Sequence, residues 1–379
     1  PLLARAREFA NDGYITGAGA FLPGPNVGND AMEDHLGRIA GRDSLFGKKA
    51  LRWNGVEGRH YALAADGAVS HSNAQMSALA VREALSAARL DANDLAMLAA
   101  ATTQGDLLAP GHAAQVHAEI GVRAMEIASF QSVCGSSLMA AKTAWLNVRA
   151  GEHDVAAACA GEFSSRWFRP SFYEGTALVD AKGRLRAEAD FLRFTLSDGA
   201  GAIVIEPKPR PGALKINFID IVSLADRYDP CMWAGATVED RTDPHAFWAR
   251  SGPRAAHEAG AIALLQDFEL LKRVIRAWVG VYLEKVDAGR IVPAEVDHCL
   301  VHYSAKSLRA EIVSLLENTA GMIPQEKWFS VLREKGNVGS ASIWLMLDGL
   351  MKSGRVMPGQ KILCVVPESG RALVGFMML

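Results

Sequence analysis

Three residues of this 379-residue chain could together form a nucleophilic site: Cys134, His302 and Asn337. Cys134 interrupts an apolar run in ASFQSVCGSSLMAA, residues 128–141, a pattern that predicts a strand, a tight turn and a helix ending at Gly151. The thiol would then lie at a helix N-terminus, where the dipole and the free amides favour the thiolate. Because the thiolate is the nucleophilic form of cysteine, the pattern indicates acyl transfer through an enzyme thioester.

The other two residues lie where an α/β fold presents side chains. His302 follows the apolar run 296–301, at the predicted carboxyl end of a strand. Asn337 lies in the glycine-flanked loop KGNVGSAS, which opens a helix of small residues. Taken alone, each residue also fits a structural role, as a core or capping histidine and as a turn asparagine.

Composition is that of an ordinary globular protein. Half of the residues are hydrophobic, 22% are charged and the net charge is −2, which does not suggest a nucleic-acid partner. The longest apolar runs are too short to span a bilayer and no signal segment is seen, so we expect a cytoplasmic protein without a membrane partner. The five cysteines are widely spread, which indicates reduced thiols, and no pair has the spacing of zinc ligands.

Helices and strands alternate along the chain, which predicts an α/β architecture. The pattern predicts a short helix at 3–10, strands at 14–23, 95–103, 154–162, 197–206 and 298–302, helices at 74–89, 113–120 and 261–286, and a closing hairpin at 361–379. A proline-rich break at 207–211 separates two halves with a similar order of elements. We therefore expect two related domains, at 14–207 and 212–379.

Several segments together resemble the thiolase superfamily, and within it the β-ketoacyl-acyl-carrier-protein synthase III branch. They are residues 14–23, 54–60, 101–103, the turn around Cys134, 197–202 and 336–342, in this order. The resemblance covers nearly the whole chain and implies a duplicated five-layer α-β-α-β-α fold and a dimer, either homomeric or heteromeric. It implies no bound cofactor or metal, since the substrates are thioesters of coenzyme A or of an acyl carrier protein.

The resemblance also implies a ping-pong reaction in which Cys134 holds the acyl group as a thioester. In the decarboxylating version, His302 and Asn337 would hydrogen-bond to a malonyl-type extender and stabilise its enolate. The oxyanion would be bound by the backbone amide of Cys134 and by one from the closing loop, at Ser369 or Gly370.

One departure from the family pattern concerns the acyl chain. Leu108 and Ala109 lie where members that use acetyl groups usually carry a phenylalanine that closes the partner's acyl pocket. A small residue there predicts a deeper pocket and a non-acetyl chain, unless Leu107 or Leu108 refills the space.

Other departures concern the carrier. Trp53 replaces a usual arginine and residues 44–46 lack the usual adenine-stacking tryptophan, which favours a carrier protein over free coenzyme A. Lys306 and Arg309 are placed to contact phosphopantetheine or an acidic carrier helix, although solvated surface charges are an equal alternative.

An insertion near 228–278 could form a lid or a second-substrate site, or only add packing at the edge. It contains Trp233, His245, Trp248 and His257. In the closing loop, Glu368 and Ser369 replace the glycines that are usual in the family.

Three hypotheses for function follow. The first is a ketosynthase, in secondary metabolism, that joins a non-acetyl acyl group to a malonyl- or β-ketoacyl-thioester, and the retained Asn337 favours it. The second is an acyltransferase that uses an oxygen, nitrogen or sulfur acceptor with His302 as general base. The third is a structural subunit of a heterodimeric ketosynthase, against which the placement of Cys134 argues.

Overall fold

The structure is a computed structural model that describes residues 9–379, so the helix predicted at 3–10 lies almost wholly outside the described residues. The strands are β1 Tyr14–Phe21, β2 Val27–Gly28, β3 Gly58–Arg59, β4 Met97–Thr102, β5 Glu126–Gln131, β6 Ala156–Glu162, β7 Gly199–Glu206, β8 Leu214–Lys215, β9 Phe218–Ser223, β10 Met232–Trp233, β11 Leu265–Gln266, β12 His298–Val301, β13 Ile362–Glu368 and β14 Leu373–Met378. The α-helices are α1 Met32–Leu36, α2 Gly47–Asn54, α3 Asn73–Ala87, α4 His112–Ile120, α5 Ser136–Ala150, α6 Ala187–Arg193, α7 Trp248–Ser251, α8 Pro253–Glu258, α9 Phe268–Asp287, α10 Lys306–Leu316, α11 Leu332–Lys335 and α12 Ser342–Lys352.

Two sheets share one pattern of strand pairing. The first has the order β5-β4-β6-β7-β1-β8, with β4 parallel to β6 and with antiparallel β6–β7 and β7–β1 pairs. The second has the order β12-β13-β14-β9, with β12 parallel to β13 and with antiparallel β13–β14 and β14–β9 pairs. In the first sheet β5 lies beside β4. At the equivalent place in the second sheet, beside β12, there is a single parallel bridge between Cys299 and Trp328.

The sheets and helices form five layers. Helices α5 and α12 lie between the two sheets, and their apolar side chains form one core with strands of both. Helices α3 and α4 cover the outer face of the first sheet, and α9 and α10 cover the outer face of the second. This arrangement confirms the predicted five-layer α-β-α-β-α fold.

The alanine-rich strands are explained by their position in this sandwich. Every residue of β4 and β6 is buried, because helices cover both faces of the sheet. Alanine side chains let the central helices approach the strands closely, and the carboxyl ends of both strands are left facing the same edge, where polar residues begin.

One predicted helix begins later than expected. The helix predicted over 261–286 starts at Phe268, and β11 precedes it. The Asp267 side chain accepts hydrogen bonds from the Glu269 and Leu270 amides at 3.0 and 2.9 Å, which fixes the helix start there. Strand β8 pairs with β1, so it belongs to the first sheet although it lies beyond the predicted break at 207–211.

Within residues 9–379, no helix has both the length and the apolar character that crossing a bilayer requires.

The central layer predicts a large stability effect at Trp344, which is fully buried on α12. Trp344→Ala should lower the free energy of unfolding by about 3–5 kcal/mol, because it leaves a cavity between the two sheets. Denaturant unfolding monitored by circular dichroism measures the change. Met357→Ala, at an exposed position, is the control and should change stability by less than about 0.5 kcal/mol. Equal effects of both changes would contradict this description of the core.

Candidate active site

One cavity of about 50 Å³ brings Cys134, His302 and Asn337 together. Its remaining wall is mostly apolar and includes Val133, Phe163, Leu192, Leu264, Leu271, Ile275, Trp278 and Ile312. The three side chains come from elements far apart in the sequence, and each is at least nine-tenths buried. Polar groups therefore converge on a site from which most water is excluded.

Cys134 lies in the turn between β5 and α5, as the sequence predicts. Gly135 caps the helix, and a Cβ at this position would lie 2.3 Å from Cδ2 of Leu373 on β14. The helix ends at Gly151, where the backbone is left-handed with φ of 81°. A helix thus begins immediately after the cysteine, with the turn packed tightly against the second sheet.

The surroundings of Cys134 oppose the thiolate form that the sequence predicts. Burial raises the pKa of the thiol well above its usual range, and the carboxyl groups of Glu368 and Glu162 raise it further. Within the described residues, Arg166 is the one cationic side chain in the cavity wall, and it pairs with Asp106 at 3.1 Å. Desolvation and the two nearby acids thus act against the effect of the helix N-terminus on the thiol.

His302 follows β12, and its amide donates to the Val365 carbonyl at 2.9 Å. This bond continues the pairing with β13 and sets where the side chain leaves the strand. Burial lowers the pKa of the imidazole to about 4. The ring is therefore neutral at pH 7, with one nitrogen able to donate and the other able to accept a hydrogen bond.

Asn337 is oriented by the start of the next helix. Its Oδ1 accepts hydrogen bonds from the Gly339 amide at 2.9 Å and from the Ser342 hydroxyl at 3.5 Å. Its backbone pairs with the segment 195–197 at both its amide and its carbonyl. Because the side-chain oxygen is engaged in this way, the Nδ2 donors are the part of the amide available to the cavity.

Glu162 holds the Asn337 loop to the first sheet, a role that the sequence analysis missed. This buried carboxylate accepts hydrogen bonds from the amide and hydroxyl of Ser340, at 3.1 and 2.5 Å. It also accepts from the amide and hydroxyl of Thr103, at 3.2 and 2.9 Å. Gly339 leaves room for it, since a Cβ there would lie 3.0 Å from the Glu162 side chain.

The closing loop lies beside the cavity, with Ser369 in its wall. The carbonyls of Ser369 and Gly370 accept hydrogen bonds from the Met232 and Cys231 amides, each at 2.9 Å. Within residues 9–379, the Cys134 and Ser369 amides have no backbone acceptor, so both remain available as donors. Their role in binding an oxyanion stays a prediction.

The predicted acyl-pocket residues do not line this cavity. Leu108 is 80% exposed and Ala109 is also at the surface, next to the edge strand β5. The sequence-based expectation places them against the pocket of a partner subunit, and that expectation stays a prediction.

The predicted carrier-contact residues lie outside the cavity on the neighbouring helices α2 and α10. Trp53 is 42% exposed, and Lys306 is exposed beside Gly55, at the end of α2. Arg309 lies over the Trp328 ring, 5.3 Å from its centroid.

The predicted insertion supplies part of the cavity wall. Met232, Leu264 and Gln266 line the cavity, and the first half of α9 adds Leu271 and Ile275. His245, Trp248 and His257 do not line it. Residues 228–278 therefore contribute to the site through their two short strands and α9.

The buried imidazole predicts a pH dependence. In histidine-selective NMR, the His302 resonance should not titrate between pH 8 and pH 5, because its pKa of about 4 lies below this range. Since the pKa is lowered in the folded state, the linked stability is present above about pH 6.5 and is lost as the pH falls towards 4. His302→Asn assigns the signal, since the resonance that this variant lacks belongs to His302. A His302 midpoint near 6.5 would contradict the buried, neutral ring.

Comparisons with known proteins agree with this geometry. The family model described as Beta-ketoacyl synthase, N-terminal domain, matches residues 30–210. The model described as 3-Oxoacyl-[acyl-carrier-protein (ACP)] synthase III C terminal matches residues 286–376. Between them, the two models span most of the chain and include Cys134, His302 and Asn337.

Relatives match over nearly their full length. The Beta-ketoacyl-[acyl-carrier-protein] synthase III of Methylococcus capsulatus is 25% identical over 349 residues, covering 92% of this chain and 93% of that protein. Among solved structures, the tetronic acid condensing enzyme AbyA1 aligns with a TM-score of 0.77 at 22% identity, covering 97% of this chain and 99% of that one. The synthase III of Aquifex aeolicus aligns with a TM-score of 0.71 at 19% identity, covering 97% and 99% of the two chains.

These matches extend through both sheets and the cysteine turn. The chain belongs to the thiolase-superfamily ketosynthases of the 3-oxoacyl-acyl-carrier-protein synthase III type, which are acyl-transferring condensing enzymes.

Proposed function

We propose that this protein loads a non-acetyl acyl group onto Cys134 and joins it to a malonyl- or β-ketoacyl-thioester by carbon–carbon bond formation. The observation that carries this proposal is the single buried cavity bordered by Cys134, His302 and Asn337. A nucleophile and two neutral hydrogen-bonding side chains there match the needs of thioester chemistry.

In the loading step, the Cys134 sulfur attacks the carbonyl carbon of an acyl thioester. A carbon–sulfur bond to Cys134 forms, the bond to the carrier sulfur breaks, and the thiol proton moves to the neutral imidazole of His302. The carrier thiolate then takes this proton and leaves as a thiol. Because the His302 ring is neutral, one of its nitrogens can accept the proton during attack, and the ring returns to its neutral form afterwards.

In the condensing step, His302 and Asn337 donate hydrogen bonds to the thioester oxygen of the extender. A malonyl thioester loses carbon dioxide, and its enolate attacks the acyl carbonyl. The new carbon–carbon bond replaces the bond to Cys134, whose sulfur leaves as a thiolate and takes a proton from solvent water. The neutral donors act in a dry cavity, where their interaction with a developing oxyanion is stronger than in water.

The free Nδ2 of Asn337 favours condensation over the two alternatives. Acyl transfer to an oxygen, nitrogen or sulfur acceptor needs a base but no second donor on an enolate. A structural subunit needs neither the thiol nor the oriented amide, and the lined cavity argues against that role.

A second cavity supports the proposed non-acetyl chain. This inner chamber, also about 50 Å³, lies between α9, α10 and the second sheet, and its wall is almost entirely apolar. Ile275, Trp278, Ile312 and Pro367 border both cavities. An acyl chain attached to Cys134 could therefore extend past Trp278 into the chamber, where burial of its methylenes is favourable.

Exposed residues suggest how the substrate and a second subunit bind. A basic exposed surface that fits an acidic carrier protein is formed by α2 and α10, with Lys48, Lys49, Arg52 and Trp53 on the first helix and Lys306 on the second.

Strand β5 lies at the edge of the first sheet, and its Ile127 is 40% exposed, which fits a dimer formed along this edge. The departures from the acetyl-using pattern suggest a role in secondary metabolism.

The first test is intact-protein mass spectrometry after incubation with acyl thioesters on carrier protein and on coenzyme A. The wild-type protein should gain one acyl group, Cys134→Ala should gain none, and Cys159→Ala should react as the wild type does, because Cys159 is buried away from the cavity. Absence of an adduct with every donor would contradict acyl loading and favour the structural subunit.

Asn337→Ala separates condensation from acyl transfer. Because the amide is proposed to act on the extender, the variant should still be acylated but should release carbon dioxide from malonyl-carrier about 100-fold more slowly. A matched change away from the cavity, Asn217→Ala, should have no such effect. Equal carbon dioxide release by Asn337→Ala and the wild type would contradict the proposed condensing role.

The inner chamber predicts a change in chain-length preference. Val279→Phe would fill the chamber from α9, so loading of octanoyl and longer groups should fall about tenfold relative to butanoyl, equivalent to about 1.4 kcal/mol. The ratio of acylation rates measures this effect. Val286→Phe, on the same helix but outside the chamber, should keep the wild-type ratio. An unchanged ratio in Val279→Phe would exclude the chamber as the chain site.

A further inference from the structure

Glu368 makes an unusual contact beneath the cysteine turn. It is the last residue of β13 and is 3% exposed. One carboxylate oxygen, Oε2, accepts a hydrogen bond from the Gly135 amide at 2.8 Å, and the other, Oε1, accepts one from the Ser132 hydroxyl at 2.5 Å. The Val133 amide also faces this carboxylate. A side chain of the second sheet therefore binds the residues on both sides of Cys134.

This contact supplies the cap that α5 otherwise lacks. Gly135, the capping residue, has no side chain that could accept from the first helical amides. A buried carboxylate at a helix N-terminus is favoured by the free N–H groups and by the dipole. Burial raises the pKa of Glu368, and the donors that face both of its oxygens oppose this rise by stabilising the carboxylate. The Gly135 amide at the start of α5 is thus bound by Glu368 and not by the Cys134 sulfur.

We propose that Glu368 is a positioning residue that fixes the Cys134 turn and, through its carboxylate beneath the turn, sets the electrostatic surroundings of the thiol. This inference rests on Cys134 being the nucleophile of the proposed function. The carboxylate does not touch the acyl group, because it lies beneath the turn rather than in the cavity wall. Its action is electrostatic and mechanical.

The other charged groups around Cys134 agree with this role. Glu162 at the end of β6 is a second acid, Arg166 is paired with Asp106, and the His302 imidazole is neutral. Among the described groups that line the cavity, none supplies an unpaired positive charge that would stabilise a thiolate. A neutral thiol resists oxidation and alkylation, and it can still react once its proton passes to His302 during attack on a bound thioester.

The test is the pH dependence of Cys134 alkylation by iodoacetamide, followed by intact mass, with Cys134→Ala defining the background from the four other buried cysteines. Glu368→Gln keeps hydrogen-bonding atoms at the turn but removes the charge. It should shift the alkylation profile to lower pH by at least one unit, which is at least a tenfold faster reaction at pH 7. Ser132→Ala, which loses one contact and keeps the charge, should stay within about threefold of the wild type.

Glu368→Asp is the second variant for this test. If Glu368→Gln does not fold, as judged by its thermal unfolding midpoint, Glu368→Asp serves instead, since it moves the charge back by one methylene and should give an intermediate shift. A wild-type alkylation profile in whichever variant folds would overturn the role of Glu368. Failure of the proposed function is a separate outcome, because the wild-type protein would then gain no acyl group from any thioester.

Discussion

The buried carboxylate of Glu162 is the contact on which the arrangement of the cavity depends. It lies at the end of β6 and binds Thr103, which follows β4, and Ser340, which follows Asn337. Removing an ionisable group from water is costly, and burial raises the pKa of Glu162 despite its hydrogen bonds. Such a group is tolerated only where donors surround it, so the loops that carry those donors are held in one position. One side chain thereby joins two strand ends of the first sheet to the loop that presents Asn337.

Burial disfavours the charged form of four ionisable groups around the cavity. It raises the pKa values of Glu162, Glu368 and Cys134 and lowers that of His302, while the hydrogen bonds that the two glutamates accept oppose the rise in their pKa values. A site built in this way has little fixed positive charge with which to hold an anion. The proposed catalysis depends on neutral donors whose positions are set in advance by the backbone, such as Asn337 Nδ2 and the Cys134 amide. Chemistry in which charge appears only briefly, as in thioester exchange, suits these surroundings.

The sequence predicted the parts of this fold that depend on local pattern. The turn at Cys134 could be recognised because an apolar strand, small residues and the stop at Gly151 follow one another along the chain. It could not predict the state of the thiol, since that depends on Glu368 and Glu162, which reach Cys134 only through the fold. The late start of α9 could have been predicted from Asp267, a typical N-cap residue that Glu269 follows in the first turn. The apolar residues before Asp267 made the helix pattern appear to begin earlier. Glu368 was recognised as a departure from the family pattern, but its partners Ser132 and Gly135 are too far away in the sequence to be identified.

The insertion has a consequence beyond the wall that it contributes. The carbonyls of Ser369 and Gly370 accept hydrogen bonds from the Met232 and Cys231 amides, so strand β10 and the residue before it hold the closing loop. The position of the closing loop is therefore set by the same segment that places the Met232 side chain in the wall. Because one short strand performs both tasks, a change that enlarges the cavity at Met232 also disturbs the loop that faces the reacting carbonyl. The cavity wall at Met232 and the position of the closing loop thus depend on the same short strand, whereas substitutions in α9 change the wall and leave β10 unchanged.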